Sequence, residues 1–212
     1  AVKAGQCLID GAAVSSVMGA QLEVISPLDG SLLTTIAAGD RQDIDSAVAA
    51  ARRAFDDGRW SRIAPAARGR MLQRIGDAIA AEAQALAVMG VRDNGTEISM
   101  AIKAEPGSAA ATFRYYAEAL DKVYGEVAPT AETVLGMILR EPVGVVGAIV
   151  PWNFPLTNAA IKLAPILACG NTVVLKPSEV SPLSALMLAK LALEVGFPAG
   201  KDALGGLRRL VF

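Results

Sequence analysis

Histidine is missing from all 212 residues of the chain, and no other feature of the composition excludes as much chemistry. Without an imidazole neither a Ser-His-Asp nor a Cys-His nucleophile can be assembled, and two cysteines without histidine make no ordinary zinc site. No metal is therefore expected. Those two thiols, Cys7 and Cys169, have no context that marks a secreted disulfide scaffold, so a reducing cytoplasm is the expected compartment. An excess of either charge is missing too. A net of −1 with both signs interspersed predicts neither a nucleic-acid partner nor an acidic-substrate site. A long unbroken apolar run is also lacking. An apolar fraction of 53% raises the question of a membrane, and the charge-free segment from Val143 to Ile161 approaches spanning length. Pro151, Asn153, Pro155 and Asn158 interrupt it, so no transmembrane helix is expected. The first residues do not have the basic-then-apolar layout of a signal peptide.

What is present is concentrated between Val143 and Glu179, VGVVGAIVPWNFPLTNAAIKLAPILACGNTVVLKPSE. Gly144 to Val150 is a charge-free run of small and apolar residues, which predicts a strand covered on both faces, as in a parallel sheet. Pro151 ends its ladder. Pro155 suits the first position of a helix running to about Cys169, and Gly170 can supply the left-handed residue that stops it. Thr172 to Lys176 then returns as a second buried strand. Strand, helix and strand make a βαβ unit with a right-handed crossover, and its ligand site lies beyond the C-terminal ends of the strands. The clusters Pro151-Trp152-Asn153 and Lys176-Pro177-Ser178-Glu179 both fall at that edge. Lys162 is the one charge inside an otherwise apolar helix, either turned to solvent or buried for a purpose.

Elsewhere the patterning is structural. Cys7 to Ile9, Val14 to Val17 and Leu22 to Ile25 read as short strands, with turns at Asp10-Gly11 and Asp29-Gly30. Asp40 caps a predicted helix that turns Ile44, Ala47, Val48, Ala51 and Phe55 inward and stops at Gly58. Pro65 opens another, with Met71, Leu72, Ile75, Ile79 and Leu86 on one face and Asn94-Gly95 after it. Ser108 is placed to cap a third, carrying Phe113, Tyr116, Leu120 and Val123. Val134 to Arg140 and the strand after Glu141-Pro142 read as a two-stranded ribbon. Such a ribbon is marginal alone and favours burial against a partner. Ser181-Pro182 begins a last helix through Leu186, Leu193 and Val195, and Gly196 ends it.

PWNFP followed by GNTVVLKPSE closely resembles the aldehyde dehydrogenase superfamily, in its amino-terminal, NAD-binding half. LIDG, SPLDG, DIDSAVAAARRAF and EPVGVVGAIVPWNFP extend the likeness over almost the whole chain. EALDKVYGEVAPT further resembles the gamma-glutamyl-gamma-aminobutyraldehyde dehydrogenase branch. The resemblance implies an α/β fold: an incomplete Rossmann-like parallel sheet with flanking helices, an amino-terminal region of helices and short strands, and a protruding hairpin. Residues 1–123 would be the amino-terminal part of the NAD-binding domain, 124–142 an oligomerisation hairpin and 143–200 the start of the Rossmann-like core. VMGVRDNGTEI departs from the family pattern, which has a GKP-like turn there. From Lys201 to Phe212 the likeness fails, because the family continues with a third buried strand and then the catalytic domain. A cropped chain, a truncated gene or a shifted reading frame would each explain that atypical tail.

In terms of chemistry, the resemblance implies the amino-terminal portion of an NAD-dependent enzyme oxidising an aldehyde to a carboxylate, with the catalytic cysteine and glutamate not in this chain. The rival readings are a non-catalytic nucleotide-binding or subunit-association fragment, or the nonfunctional product of a broken gene. By resemblance Asn153 contributes to an oxyanion hole; the plainer and less favoured reading is an Asx cap for the following helix. Lys176 and Glu179, with Pro177 and Ser178 between them, hold the adenosine ribose by resemblance. A carboxylate beside the 2′-hydroxyl favours NAD over NADP. Ile149, Pro151 and Trp152 resemble residues lining the cofactor cleft, and the matching family lysine gives Lys162 a proton-relay role. Cys169 sits at the wrong end of its helix to be the nucleophile and reads as a small core residue. The implied partners are an aldehyde, the dinucleotide and further copies of the chain as a dimer or tetramer.

Overall fold

The structure, a computed structural model, describes residues 5–196. The predicted tail from Lys201 and the end of the 143–200 segment lie outside the described residues.

The chain opens with two antiparallel pairs. β1 (Cys7–Ile9) pairs with β2 (Ala12–Val14), and β3 (Gln21–Ile25) with β4 (Leu32–Ala37). The second strand falls earlier than the predicted Val14 to Val17. Asp10 and Gly11 both take positive φ, 54° and 74°, and such a two-residue turn sets Ile9 directly opposite Ala12.

α1 (Arg41–Asp56) begins at the predicted Asp40 with a full capping box: Asp40 accepts from the Gln42 and Asp43 amides, and Asp43 accepts from the Asp40 amide. Its buried face differs from the expected one. Ala47, Ala50, Ala51 and Ala54 face the interior, while Ile44 and Val48 stand 45% and 42% exposed. Alanines let the helix lie close against the sheet, where the Thr172 hydroxyl donates to the Ala51 carbonyl at 3.1 Å.

The single helix expected after Pro65 is two, α2 (Pro65–Ala81) and α3 (Ala83–Asn94), broken at Glu82 with φ −98° and ψ 17°. Gly95, φ 76°, terminates the second. α4 (Ile98–Ala119) starts ten residues before Ser108, so Ser108 is no cap; the Glu97 carboxylate caps it by accepting from the Ser99 and Met100 amides. Pro106 lies inside this helix and is buried. Phe113 is buried as expected, but Val123 lies past the helix end and is exposed.

β5 (Glu126–Ala128) and β6 (Gly136–Ile138) form the antiparallel ribbon. β7 (Val145–Ile149) and β8 (Thr172–Lys176) then pair in parallel, connected by α5 (Pro155–Ala168), and α6 (Leu183–Glu194) follows. Pro155 takes the first helical turn and Gly170, φ 83°, follows the last. The edge at which the two strands begin and α5 ends is fixed by side chains. The Asn171 side chain accepts from the Gly144 amide at 3.0 Å, and the Arg68 guanidinium donates to the Ala168 carbonyl at 3.0 Å. The main core lies between α2, α4, α5, α6 and the parallel pair, with Trp60, Leu72, Phe113, Leu163 and Leu188 fully buried. No helix among the described residues is long and apolar enough to cross a membrane.

Candidate functional site

The parallel register sets Ile149 opposite Lys176, so the two strands end level and the chain leaves both at one edge. The ladder closes there with the Val150 amide donating to the Lys176 carbonyl at 3.1 Å. Beyond it run two loops, 150–154 and 177–182, and the Ser181 hydroxyl ties them by donating to the Trp152 carbonyl at 3.1 Å. Ile149, Pro151, Trp152 and Asn153 are thereby brought beside Lys176, Pro177, Ser178 and Glu179, as the βαβ reading requires. Ile149 and Trp152 present apolar surface to solvent, 77% and 58% exposed.

Asn153 is not the cap of α5. The N-cap is Phe154, held left-handed at φ 54° and ψ 56° with no side-chain capping bond, a conformation that costs a non-glycine residue ~1–2 kcal/mol. The Asn153 carbonyl accepts from the Asn158 amide group. Its own side chain is exposed and makes no hydrogen bond among the described residues. A primary amide that is free, next to a helix N-terminus and rigidly carried by a strained turn is placed to donate to an anionic oxygen.

Lys176 and Glu179 form an exposed ion pair at 2.5 Å. The ammonium, hydrogen-bonded to it, holds the Glu179 carboxyl below its ordinary range, so it is anionic at neutral pH. An exposed pair of this type is worth at most ~1 kcal/mol, so a ligand offering vicinal hydroxyls can take both partners at little cost. Both residues line the mouth of a cavity of about 440 Å³ that runs inward past Val174 to Ile36, Ala47 and Asp43. The cavity does not reach Asn153. Lys162 is exposed on α5, about two turns beyond Asn153, and no contact among the described residues joins the two.

Neither thiol is placed for nucleophilic work at this edge. Cys169 lies at the far end of α5, ~20 Å of helix away from Asn153. It is exposed, so it is not the core residue the sequence suggested. Cys7 is half-buried, and burial together with the nearby Asp43 carboxylate pushes its thiol up, away from the thiolate. No group of side chains suited to a metal occurs among the described residues.

Two residues essential to this geometry were not singled out from sequence. Glu105 of α4, 3% exposed, accepts from the Leu156 and Thr157 amides at 3.0 and 3.3 Å and so caps α5 from outside. Asp93 of α3, also 3% exposed, accepts from the Leu183 amide at 2.7 Å and caps α6. The signal available was a carboxylate interrupting an apolar helical stripe, and it names no partner.

The aldehyde dehydrogenase family model matches residues 14–201. The NADP/NAD-dependent aldehyde dehydrogenase PuuC of Escherichia coli is 47% identical over 192 residues, covering 91% of this chain and 39% of that protein. The aminoacetaldehyde dehydrogenase of Pseudomonas aeruginosa is 41% identical over 92% of this chain and 39% of its own length. A crystal structure of an indole-3-acetaldehyde dehydrogenase complexed with NAD+ superposes with a TM-score of 0.92 at 44% identity, over 98% of this chain and 40% of that one. The chain thus spans about two fifths of the length of the relatives it matches.

Proposed function

This chain belongs to the aldehyde dehydrogenase family, and from that premise we propose that it supplies the dinucleotide-binding edge and the oxyanion donor of an enzyme oxidising an aldehyde to a carboxylate with NAD. The observation that carries this reading is the level ending of β7 and β8, which puts a free Asn153 amide and the Lys176–Glu179 pair on one edge.

Each residue then has a definite task. Asn153 donates to the oxygen that becomes an alkoxide when a thiolate adds to the aldehyde carbon, an interaction worth ~3–4 kcal/mol of barrier. Lys176 donates to, and Glu179 accepts from, the adenosine ribose hydroxyls, with Pro177 and Ser178 holding their spacing. Ile149, Pro151 and Trp152 line the cleft with apolar surface. NAD, when bound, accepts the hydride. The anionic Glu179 disfavours a 2′-phosphate by like-charge repulsion, which supports NAD over NADP; PuuC, whose name carries both dinucleotides, is the relative against which that preference is measured. Lys162, exposed on α5, exchanges a proton with solvent in the relay role. Neither Cys7 nor Cys169 is placed for attack, so the nucleophile and the deacylating base come from sequence outside this chain. The EALDKVYGEVAPT segment supports an aminoaldehyde substrate of the gamma-glutamyl-gamma-aminobutyraldehyde type. The two free thiols fit a reducing, cytoplasmic setting. The exposed apolar ribbon at 124–142 favours self-association, as a dimer or tetramer, as a second contribution of the same chain.

Calorimetric titration of the chain with NAD and NADP tests the binding edge. NAD binding that weakens in Lys176→Ala, with a preference over NADP that narrows in Glu179→Gln, is expected; equal affinity for the two dinucleotides in the parent would remove the role given to Glu179. NADH formation from an aldehyde by the chain alone is expected to stay at blank level. Activity lost in Cys169→Ala would overturn the assignment of the nucleophile elsewhere.

A further inference from the structure

The two loops of the candidate site are each followed by a helix, and each helix begins on a buried carboxylate supplied by the α3–α4 pair. Glu105 Oε2 holds the first turn of α5 through the Leu156 and Thr157 amides, immediately after Asn153 and Phe154. Asp93 Oδ2 holds the first turn of α6 through the Leu183 amide. Two residues before Leu183, the buried Ser181 donates to the Trp152 carbonyl. The circuit therefore closes from Asp93 through Leu183 and Ser181 to Trp152, and from Asn153 through Leu156 back to Glu105.

The carboxylates are also neighbours. A Cβ built on Gly90 of α3 would lie 3.7 Å from Glu105 Oε1 and 3.9 Å from the Ser184 hydroxyl of α6, so α3, α4 and α6 converge there with polar side chains between them. Asp93 Oδ1 is buried there without a hydrogen-bond partner among the described residues. The charge facing Asp93 is that of Glu105, and burial, ahead of that repulsion, raises its carboxyl to about 7; burial raises Glu105 as well. Two acids buried side by side need a reason to be kept. Apolar residues would fill the space with less desolvation, but they would leave the first amides of α5 and α6 unpaired.

We propose that Asp93 and Glu105 are positioning residues of the dinucleotide site, a carboxylate brace that fixes the 150–154 loop against the 177–182 loop by anchoring the helices that follow them. This rests on the dinucleotide reading above. The brace touches no ligand; it sets the separation between Asn153 and the Lys176–Glu179 pair.

The test uses the full chain labelled with 15N. The Leu183 amide resonance shifts with pH about a midpoint near 7 in the parent and loses that shift in Asp93→Asn, while the Leu156 and Thr157 amides lose theirs in Glu105→Gln. NAD affinity falls by about tenfold in Asp93→Ala and in Glu105→Ala and stays close to the parent in Asp93→Asn and Glu105→Gln, whose amide oxygens still accept. Asp77→Asn, which alters an exposed carboxylate paired with Arg114, leaves binding unchanged. Alanine variants that bind NAD like the parent overturn the brace. If the parent itself binds no NAD, the dinucleotide reading fails by itself, and the brace is judged by amide exchange at Trp152, Asn153, Ser178 and Glu179, which must quicken in the alanine variants. If those variants do not fold, the parent decides: loop amides that fail to follow the Leu183 midpoint refute the proposal.

Discussion

Asp93 makes stability depend on pH in a direction opposite to that of most carboxylates. Its folded value of about 7 lies above the ordinary 3.8, so the folded chain binds a proton more tightly than the unfolded one. The stability this contributes is fully present below about pH 4 and is lost as pH rises through about 7, a swing on the order of 4 kcal/mol. Glu105, raised for the same reason, acts in the same sense. Asp93→Asn keeps an oxygen for the Leu183 amide and cannot ionise. Urea unfolding is expected to show the Asp93 share of the parent's loss, ~2–3 kcal/mol between pH 5 and pH 8, missing from the variant, which keeps only the Glu105 part and is the more stable of the two at pH 8. A variant as pH-sensitive as the parent would move the titration to another group. Residues of this type were illegible in the sequence. Asn153, Lys176 and Glu179 could be found because they follow strands whose ends are set locally, whereas the partner of Asp93 is an amide ninety positions along the chain.

At the scale of the element, legibility depended on whether the ending was local. β8 spans the expected Thr172 to Lys176, and α5, expected from Pro155 to about Cys169, runs Pro155–Ala168, because proline and glycine mark them. The break at Glu82 carries no such residue, and Pro106-Gly107 looks like a boundary yet lies within α4, which is anchored on both sides by packing. The inward face of α1 keeps the expected Ala47 and Ala51 but has Ala50 and Ala54 in place of Ile44 and Val48, because small residues let the helix lie close against the sheet. The same preference for close approach governs α2 against α4. A Cβ on Gly69 would come within 2.9 Å of the Ala117 carbonyl oxygen, a backbone atom, whereas one on Gly107 meets nothing within 4 Å. Alanine gains ~1 kcal/mol over glycine in a helix interior, while overpacking costs ~1–3 kcal/mol. Gly107→Ala is therefore expected to raise the melting temperature and Gly69→Ala to lower it. Equal shifts in thermal unfolding would show that α2 and α4 can separate freely.

Among the described residues two features bear on association of the whole molecule, and they predict different behaviour in solution. One is the ribbon of β5 and β6, where Tyr124, Val127, Leu135, Met137 and Leu139 all stand more than 60% exposed. The other is the outer backbone edge of β8, which pairs only with β7 among the described residues and borders the apolar cavity, although the side chains from Thr172 to Leu175 are buried. The helices around β8 are better covered than a bare βαβ unit suggests. Leu163 is fully buried, and Leu186 and Leu193 are half-buried, so the interior does not demand a loosely packed chain. An unpaired strand edge templates open-ended association, while a ribbon of three-residue strands, too short to stand alone, closes with a matching copy into a defined oligomer. The ribbon offers the larger continuous apolar face and protrudes, so it should act first. Sedimentation velocity of the parent is expected to show a discrete species larger than the monomer. Met137→Glu with Leu139→Glu, which place charge on the ribbon far from the core, should return it to a monomer with unchanged helical dichroism. A broad, growing distribution that persists in the double variant would instead identify the β8 edge as the surface that drives association, and a monomeric parent would show that neither face does.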